Sequence, residues 1–168
     1  MANWADFSAT ALIRALVAHG VDFVVVGGIA MILHGSGRMT QDLNICFADD
    51  QANLDAIGAA LIELGATLYG VAGDVPFVPD GRTLRQISIL TLDTDAGKID
   101  LLREPAGAPA YARLRSRADR VETDGMQILV ASLDDLESMK RAAGRPKDLI
   151  DLEEIEVIRR LRRRTGRR

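Results

Sequence analysis

Hydrophobic and polar positions change period several times along the chain, and each change marks an element. From Phe7 to Ala18 the apolar residues Phe7, Leu12, Ile13, Leu16 and Val17 recur at helical spacing, and His19-Gly20 ends that helix. Phe23 to Val26 is an unbroken apolar run, which predicts a buried strand. The run stops at Gly27-Gly28, and a short amphipathic helix follows from Ile29 to Leu33. Asp42-Leu43-Asn44-Ile45 then alternates polar and apolar, which predicts a second strand through Phe47. Side chains at i and i+2 of a strand point the same way, so Asp42 and Asn44 share one face while Leu43 and Ile45 enter the core.

Asp49-Asp50 starts a helix carrying Leu54, Ile57, Leu61, Ile62 and Leu64, which stops at Gly65. Ala66 to Val71 reads as a strand and Gly73 to Arg82, with Pro76 and Pro79, as a loop. Leu84 to Leu92 is expected as a strand, Thr94 to Gly97 as a hairpin turn, and Lys98 to Leu102 as the partner strand. On that partner Ile99 and Leu101 face one way and Lys98, Asp100 and Leu102 the other. Ala108 to Ser116 reads as a helix, and Arg120–Glu122 with Met126–Val130 as a second hairpin around Asp124-Gly125. Ser132 caps a helix with a Leu133, Leu136 and Met139 stripe, broken at Gly144-Arg145-Pro146. A last helix from Lys147 is expected to bury Leu149, Leu152, Ile155, Ile158 and Leu161. Without a repeat or a long linker, residues 1–168 read as one domain, with 131–168 its C-terminal helical part. Hairpins mixed with helices make α+β the expected fold class.

Composition narrows the chemistry. Apolar residues at 48% and charged ones at 27% suit a soluble globular chain with a real core. Two histidines and the single Cys46 leave no His/Cys metal cluster, so any metal is expected to be hard and held by carboxylates. Cys46, in an apolar strand, reads as an inert buried thiol. No signal peptide or membrane span is expected, and the location inferred is cytoplasmic. The net charge of −3 hides a basic end: Arg159, Arg160, Arg162, Arg163, Arg164, Arg167 and Arg168, with no acid among them. A solvated helix end and a nucleic-acid phosphate patch both account for it, the former with a slight lead.

The candidate chemistry gathers around two stretches. A Gly27-Gly28 turn lets backbone N–H groups approach an anion, with the following helix pointing its positive end that way. Asp42 and Asp100 each lie in a strand between apolar neighbours, where a carboxylate must be paired, exposed or metal-bound. If the two strands are neighbours, Asp42, Asn44 and Asp100 converge on one face as three oxygen ligands suited to Mg2+. The second stretch is Lys140, Arg141, Arg145, Lys147 and Asp148 around the last helix break. Basic groups there could hold a triphosphate, although Asp148 also suits a helix start without any ligand, and on the residues alone that plainer reading leads. His34 and Ser36 remain open between a site role and a packing or turn role.

GGIAMILHG at Gly27–Gly35, Arg38-x-Thr40-x-Asp42-Leu43-Asn44-Ile45, KIDLL at Lys98–Leu102 and SLDDLESMKRAAGRPKDLIDLEEI at Ser132–Ile155 occur in that order. Together they resemble nucleotidyltransferases of the DNA-polymerase-β-like superfamily, nearest to the small bacterial branch allied to AbiEii-like toxins. The resemblance implies a mixed β-sheet flanked by helices with C-terminal helices. It also implies transfer of a nucleoside monophosphate from an NTP to an acceptor hydroxyl on RNA, protein or a small molecule. Acceptors such as tRNA or protein, and a cognate antitoxin, are the partners implied. Carried onto this chain, the resemblance makes Asp42, Asn44 and Asp100 the Mg2+ and catalytic positions, with Lys140 as a further catalytic candidate. Gly27, Gly28, Ser36, Arg38, Lys147 and Asp148 become the nucleotide-binding candidates. The family pattern is Asp-x-Asp, and Asn44 departs from it. Three accounts stay open: a deliberate change that stalls catalysis, a chain that binds without turnover, or Asp42 and Asp100 sufficing for one ion while the triphosphate brings the second.

Overall fold

A computed structural model describes residues 7–71 and 80–166. Helix α1 (Ala9–Ala18) is capped by the Ser8 hydroxyl, which accepts from the Ala11 N–H. Strand β1 (Phe23–Val26) is buried at every position and runs directly into α2 (Gly27–Leu33). Strand β2 (Asp42–Phe47) alternates as its sequence does, with Leu43 and Ile45 fully buried. Helix α3 (Gln51–Glu63) starts at the Asp50 cap. Its buried Asn53 is fully used, bonding the Asp22 N–H, the Asp22 carbonyl and the Ala48 carbonyl.

Strand β3 is only Thr67–Leu68, shorter than the expected 66–71. Residues 73–79 of the expected loop lie outside the described residues. Its last part does not form a loop: Asp80 caps a helix, α4 (Gly81–Gln86), by accepting from the Thr83 N–H. The expected strand Leu84–Leu92 is corrected accordingly, since Leu84 is buried from that helix and β4 is Ile89–Thr94. Strand β5 (Gly97–Leu102) closes the hairpin, α5 (Tyr111–Arg117) follows, and β6 (Asp119–Thr123) pairs with β7 (Met126–Val130). Helices α6 (Leu133–Ala143) and α7 (Pro146–Thr165) complete the chain.

The strands form one seven-stranded sheet in the order β3-β4-β5-β2-β1-β7-β6. The β2–β5 and β1–β7 pairs are parallel and the rest antiparallel, so the sheet is mixed. Helices flank it: α1 packs on α3 and on β2 and β5, α5 on β1, and α6 on α7. The core joins Leu12 and Leu16 of α1, Leu54, Ile57 and Leu61 of α3, and Leu43, Ile45 and Ile99 of the central strands. Cys46 is 1% exposed, and burial pushes its thiol up to about 12, which leaves it inert at neutral pH.

Helix α7 departs from its hydrophobic pattern. Leu149 and Leu161 are exposed rather than buried, and Leu152 is half-buried. Asp148 and Asp151 take inward positions together with Ile155 and Ile158, because two cations wait for them inside. Ile62 on α3 is also exposed.

Candidate active site

The centre of the sheet brings β1, β2 and β5 side by side. The β2–β5 register sets Asn44 opposite Asp100 and Asp42 opposite Lys98. The β1–β2 register sets Val26 opposite Asn44, so the chain leaves β1 into α2 beside that asparagine. Asp42, Asn44 and Asp100 therefore meet on one face, as the alternation of both strands requires. Asn44 Nδ2 donates to Asp100 Oδ2 at 2.9 Å and to Asp42 Oδ2 at 3.3 Å. Asp42 Oδ1 accepts from the Thr40 hydroxyl at 2.6 Å. Asp100 Oδ1 is buried and has no hydrogen-bond partner. Burial, joined by the nearby Asp42 charge, outweighs the Thr91 side chain, the Lys98 charge and the Asn44 amide and holds the Asp100 carboxyl above its ordinary range.

The glycine pair has a packing reason of its own. Gly27 sits at φ +67, in the left-handed region, and a Cβ there would lie 2.2 Å from Asn44 Oδ1. A Cβ on Gly28 would lie 2.9 Å from the Thr40 side chain. The start of α2 thus lies directly against the two β2-side groups that hold the carboxylates. Thr40, which bonds Asp42, is a further candidate that reading the carboxylates and glycines alone misses, although it stands in the Arg38-x-Thr40-x-Asp42 stretch.

The other candidates divide. Ser36 bonds Glu154 of α7 and accepts from the Arg38 N–H, and Arg38 itself pairs with Asp151 at 2.5 Å. Lys140 is 8% exposed and is shared by Asp148 at 3.3 Å and Asp151 at 2.7 Å. Arg145 completes the cluster, its Nε 2.8 Å from Asp148 Oδ2. Burial alone would raise the Asp148 carboxyl, but hydrogen bonds from the Arg145 side chain and backbone and from Lys140 outweigh it and hold it at about 2. The Arg145 guanidinium is held above its ordinary range, first by its hydrogen bond to Asp148 and then by the Asp148, Asp151 and Asp42 charges, against burial. Lys147 is exposed at the start of α7.

The arginine-rich end is partly committed to the protein. Arg159 pairs with Asp134, Glu137 and Glu156, and Arg162 donates to His34 Nδ1 at 2.8 Å. His34 Nε2 lies 2.8 Å from the Ala131 carbonyl, which fixes Nε2 as the protonated nitrogen and Nδ1 as the acceptor. Arg167 and Arg168 lie outside the described residues.

The donor set suits a hard divalent cation. Two carboxylates share one face, and the buried Asp100 Oδ1 has no hydrogen-bond partner, which leaves it open to a cation. Among the described residues no group of three or more His, Cys, Asp or Glu could hold a metal, because the third position of this cluster is an asparagine. No helix among them is long and apolar enough to cross a membrane.

Comparison with known proteins agrees with this architecture. The structure of the lincosamide antibiotic adenylyltransferase LnuA with lincomycin superimposes with a TM-score of 0.60 at 16% identity, covering 91% of this chain and 99% of that one. ANT(2'')-Ia in complex with adenylyl-2''-tobramycin gives a TM-score of 0.52 at 14% identity, covering 92% and 94%. At these identities the likeness is one of fold. No curated protein matches by sequence. Residues 7–163 match the model of a family described as nucleotidyltransferase of unknown function (DUF6036), and the chain belongs to that nucleotidyltransferase family.

Proposed function

We propose that the chain is a Mg2+-dependent nucleotidyltransferase that moves a nucleoside monophosphate from an NTP to an acceptor hydroxyl. The observation that carries this reading is the meeting of Asp42, Asn44 and Asp100 on one sheet face against the start of α2. Asp42 and Asp100 would hold the ion, which supplies neutralisation of triphosphate charge when bound. Thr40 and Asn44 hold the two carboxylates on one face before anything binds. The Gly27 and Gly28 backbone lies beside them for the phosphates. Lys147, exposed at the α7 start, is a cation open to a polyphosphate from solvent. Lys140 and Asp148 serve in this reading as a positioning pair. The buried Lys140 ammonium bridges Asp148 and Asp151 and fixes the α6–α7 junction, and Arg38 ties that junction to the loop before β2.

For the acceptor, the two antibiotic adenylyltransferases of similar fold favour a small-molecule hydroxyl. The inward pairing of Arg159 and Arg162 weakens the argument for RNA. The AbiEii-like, toxin-related alternative keeps the same chemistry, with tRNA or protein as acceptor and a cognate antitoxin as partner. A second reading, a nucleotide- or RNA-binding module without turnover, is favoured by one feature, Asn44 in place of a carboxylate.

Incubation with Mg2+, labelled NTPs and a panel of aminoglycosides, lincosamides and RNA tests the proposal. Label incorporated by the chain and lost in Asp42→Asn and Asp100→Asn supports transfer. Tight NTP binding with no incorporation, in the chain and in Asn44→Asp alike, supports the binding module instead.

A further inference from the structure

The Asn44 amide does something a third carboxylate would not. Its two N–H bonds reach both flanking carboxylates, Asp100 at 2.9 Å and Asp42 at 3.3 Å. Its oxygen faces Gly27, where an added Cβ would lie 2.2 Å from it. Thr40 engages the remaining oxygen of Asp42. The chain's own donors therefore satisfy both oxygens of Asp42 and one of Asp100, and only Asp100 Oδ1 is left without a partner. Two carboxylates brought this close repel unless something positive lies between them.

We propose that Asn44 is an internal substitute for a cation: its amide holds Asp42 and Asp100 together when no metal is bound. This rests on the nucleotidyltransferase reading for the identity of the ion, but concerns the metal-free protein. The carboxylate pair is then assembled before any ion arrives, and an ion must compete with the amide for the same oxygens. Affinity for a hard cation follows the charge of its ligands, so the asparagine also lowers metal affinity relative to a three-carboxylate site.

The test compares the full chain with Asn44→Asp and Asn44→Ser, without nucleotide. In EDTA both variants melt several degrees below the parent, the first by repulsion among three acids and the second by loss of the bridge. Mg2+ restores Asn44→Asp and barely moves the parent. Mn2+, followed through the electron paramagnetic resonance of the free ion, binds Asn44→Asp with a dissociation constant lower by about tenfold or more. Either variant melting with the parent in EDTA overturns the proposal, as does Mn2+ binding no tighter to Asn44→Asp. If Asn44→Asp cannot be obtained folded, Asn44→Ser decides on melting alone. None of these readouts depends on turnover, so the transfer assay can fail while this proposal stands, and the reverse.

Discussion

Lys140→Met is the most telling single change outside the carboxylate face. The Lys140 ammonium is 3.3 Å from Asp148 Oδ1 and 2.7 Å from Asp151 Oδ2, and all three side chains are buried. Removing one side of a buried ion pair costs about 3–5 kcal/mol, because the partner charge stays behind without its counter-ion. Arg145 still reaches Asp148 and Arg38 still reaches Asp151, which places the cost at the low end, about 3 kcal/mol. For a domain of this size each kcal/mol moves the melting midpoint by about 2–4 °C, so the variant melts about 6–12 °C lower. Urea titration followed by far-ultraviolet circular dichroism gives the free energy directly. The pH dependence gives an independent check. Asp148 sits at about 2, below its ordinary value of 3.8, so its charge contributes stability that is complete above the ordinary range. That contribution is lost as pH falls through the interval toward 2. Lys140→Met relieves part of the depression, so its stability falls less steeply in acid than that of the parent. A loss below about 1 kcal/mol, the range of exposed pairs, with an unchanged acid limb would refute the reasoning.

Gly27→Ala forces a Cβ into the left-handed region and onto the Asn44 amide; it should cost about 2 kcal/mol or more in urea denaturation. Arg38→Ala leaves nearly buried Asp151 with Lys140 alone and is expected to lose about 2–3 kcal/mol, measured the same way. His34 is held below its ordinary 6.5, first by burial and then by the Arg162 charge, against the pull of the Ala131 carbonyl and Asp119. Its contribution to stability is therefore complete above about 6.5 and is lost as pH falls below that value. The melting temperature of the parent should fall more steeply as pH drops across that range than that of His34→Gln.

Where physics acts locally, the sequence is a good guide. The alternation at Asp42–Ile45 and Lys98–Leu102 assigns faces correctly, and the adjacency of β2 and β5 then brings Asn44 to Asp100. The Asp124-Gly125 hairpin and the Ser132 cap follow from turn and cap chemistry. The failures lie where distant partners decide. Leu84 belongs to a helix because Asp80 caps it, while the apolar residues that follow make the segment resemble a longer strand. Leu149 and Leu161 fit a helical stripe, yet α7 turns Asp148 and Asp151 inward because Lys140 and Arg38 lie beneath them. No local pattern signals an ion pair between residues more than a hundred positions apart. Arg162 likewise meets His34, 128 positions away, and Arg159 draws Asp134 and Glu137 of α6 as well as Glu156 on its own helix.

The segment between α2 and β2 is laced to the last helix at every second residue that carries a long or polar side chain. His34 meets Arg162, Ser36 meets Glu154, and Arg38 meets Asp151, after which Thr40 reaches Asp42. The C-terminal helix is consequently a splint for the carboxylate that opens β2. Trimming the chain within that helix would disturb a group far away in sequence.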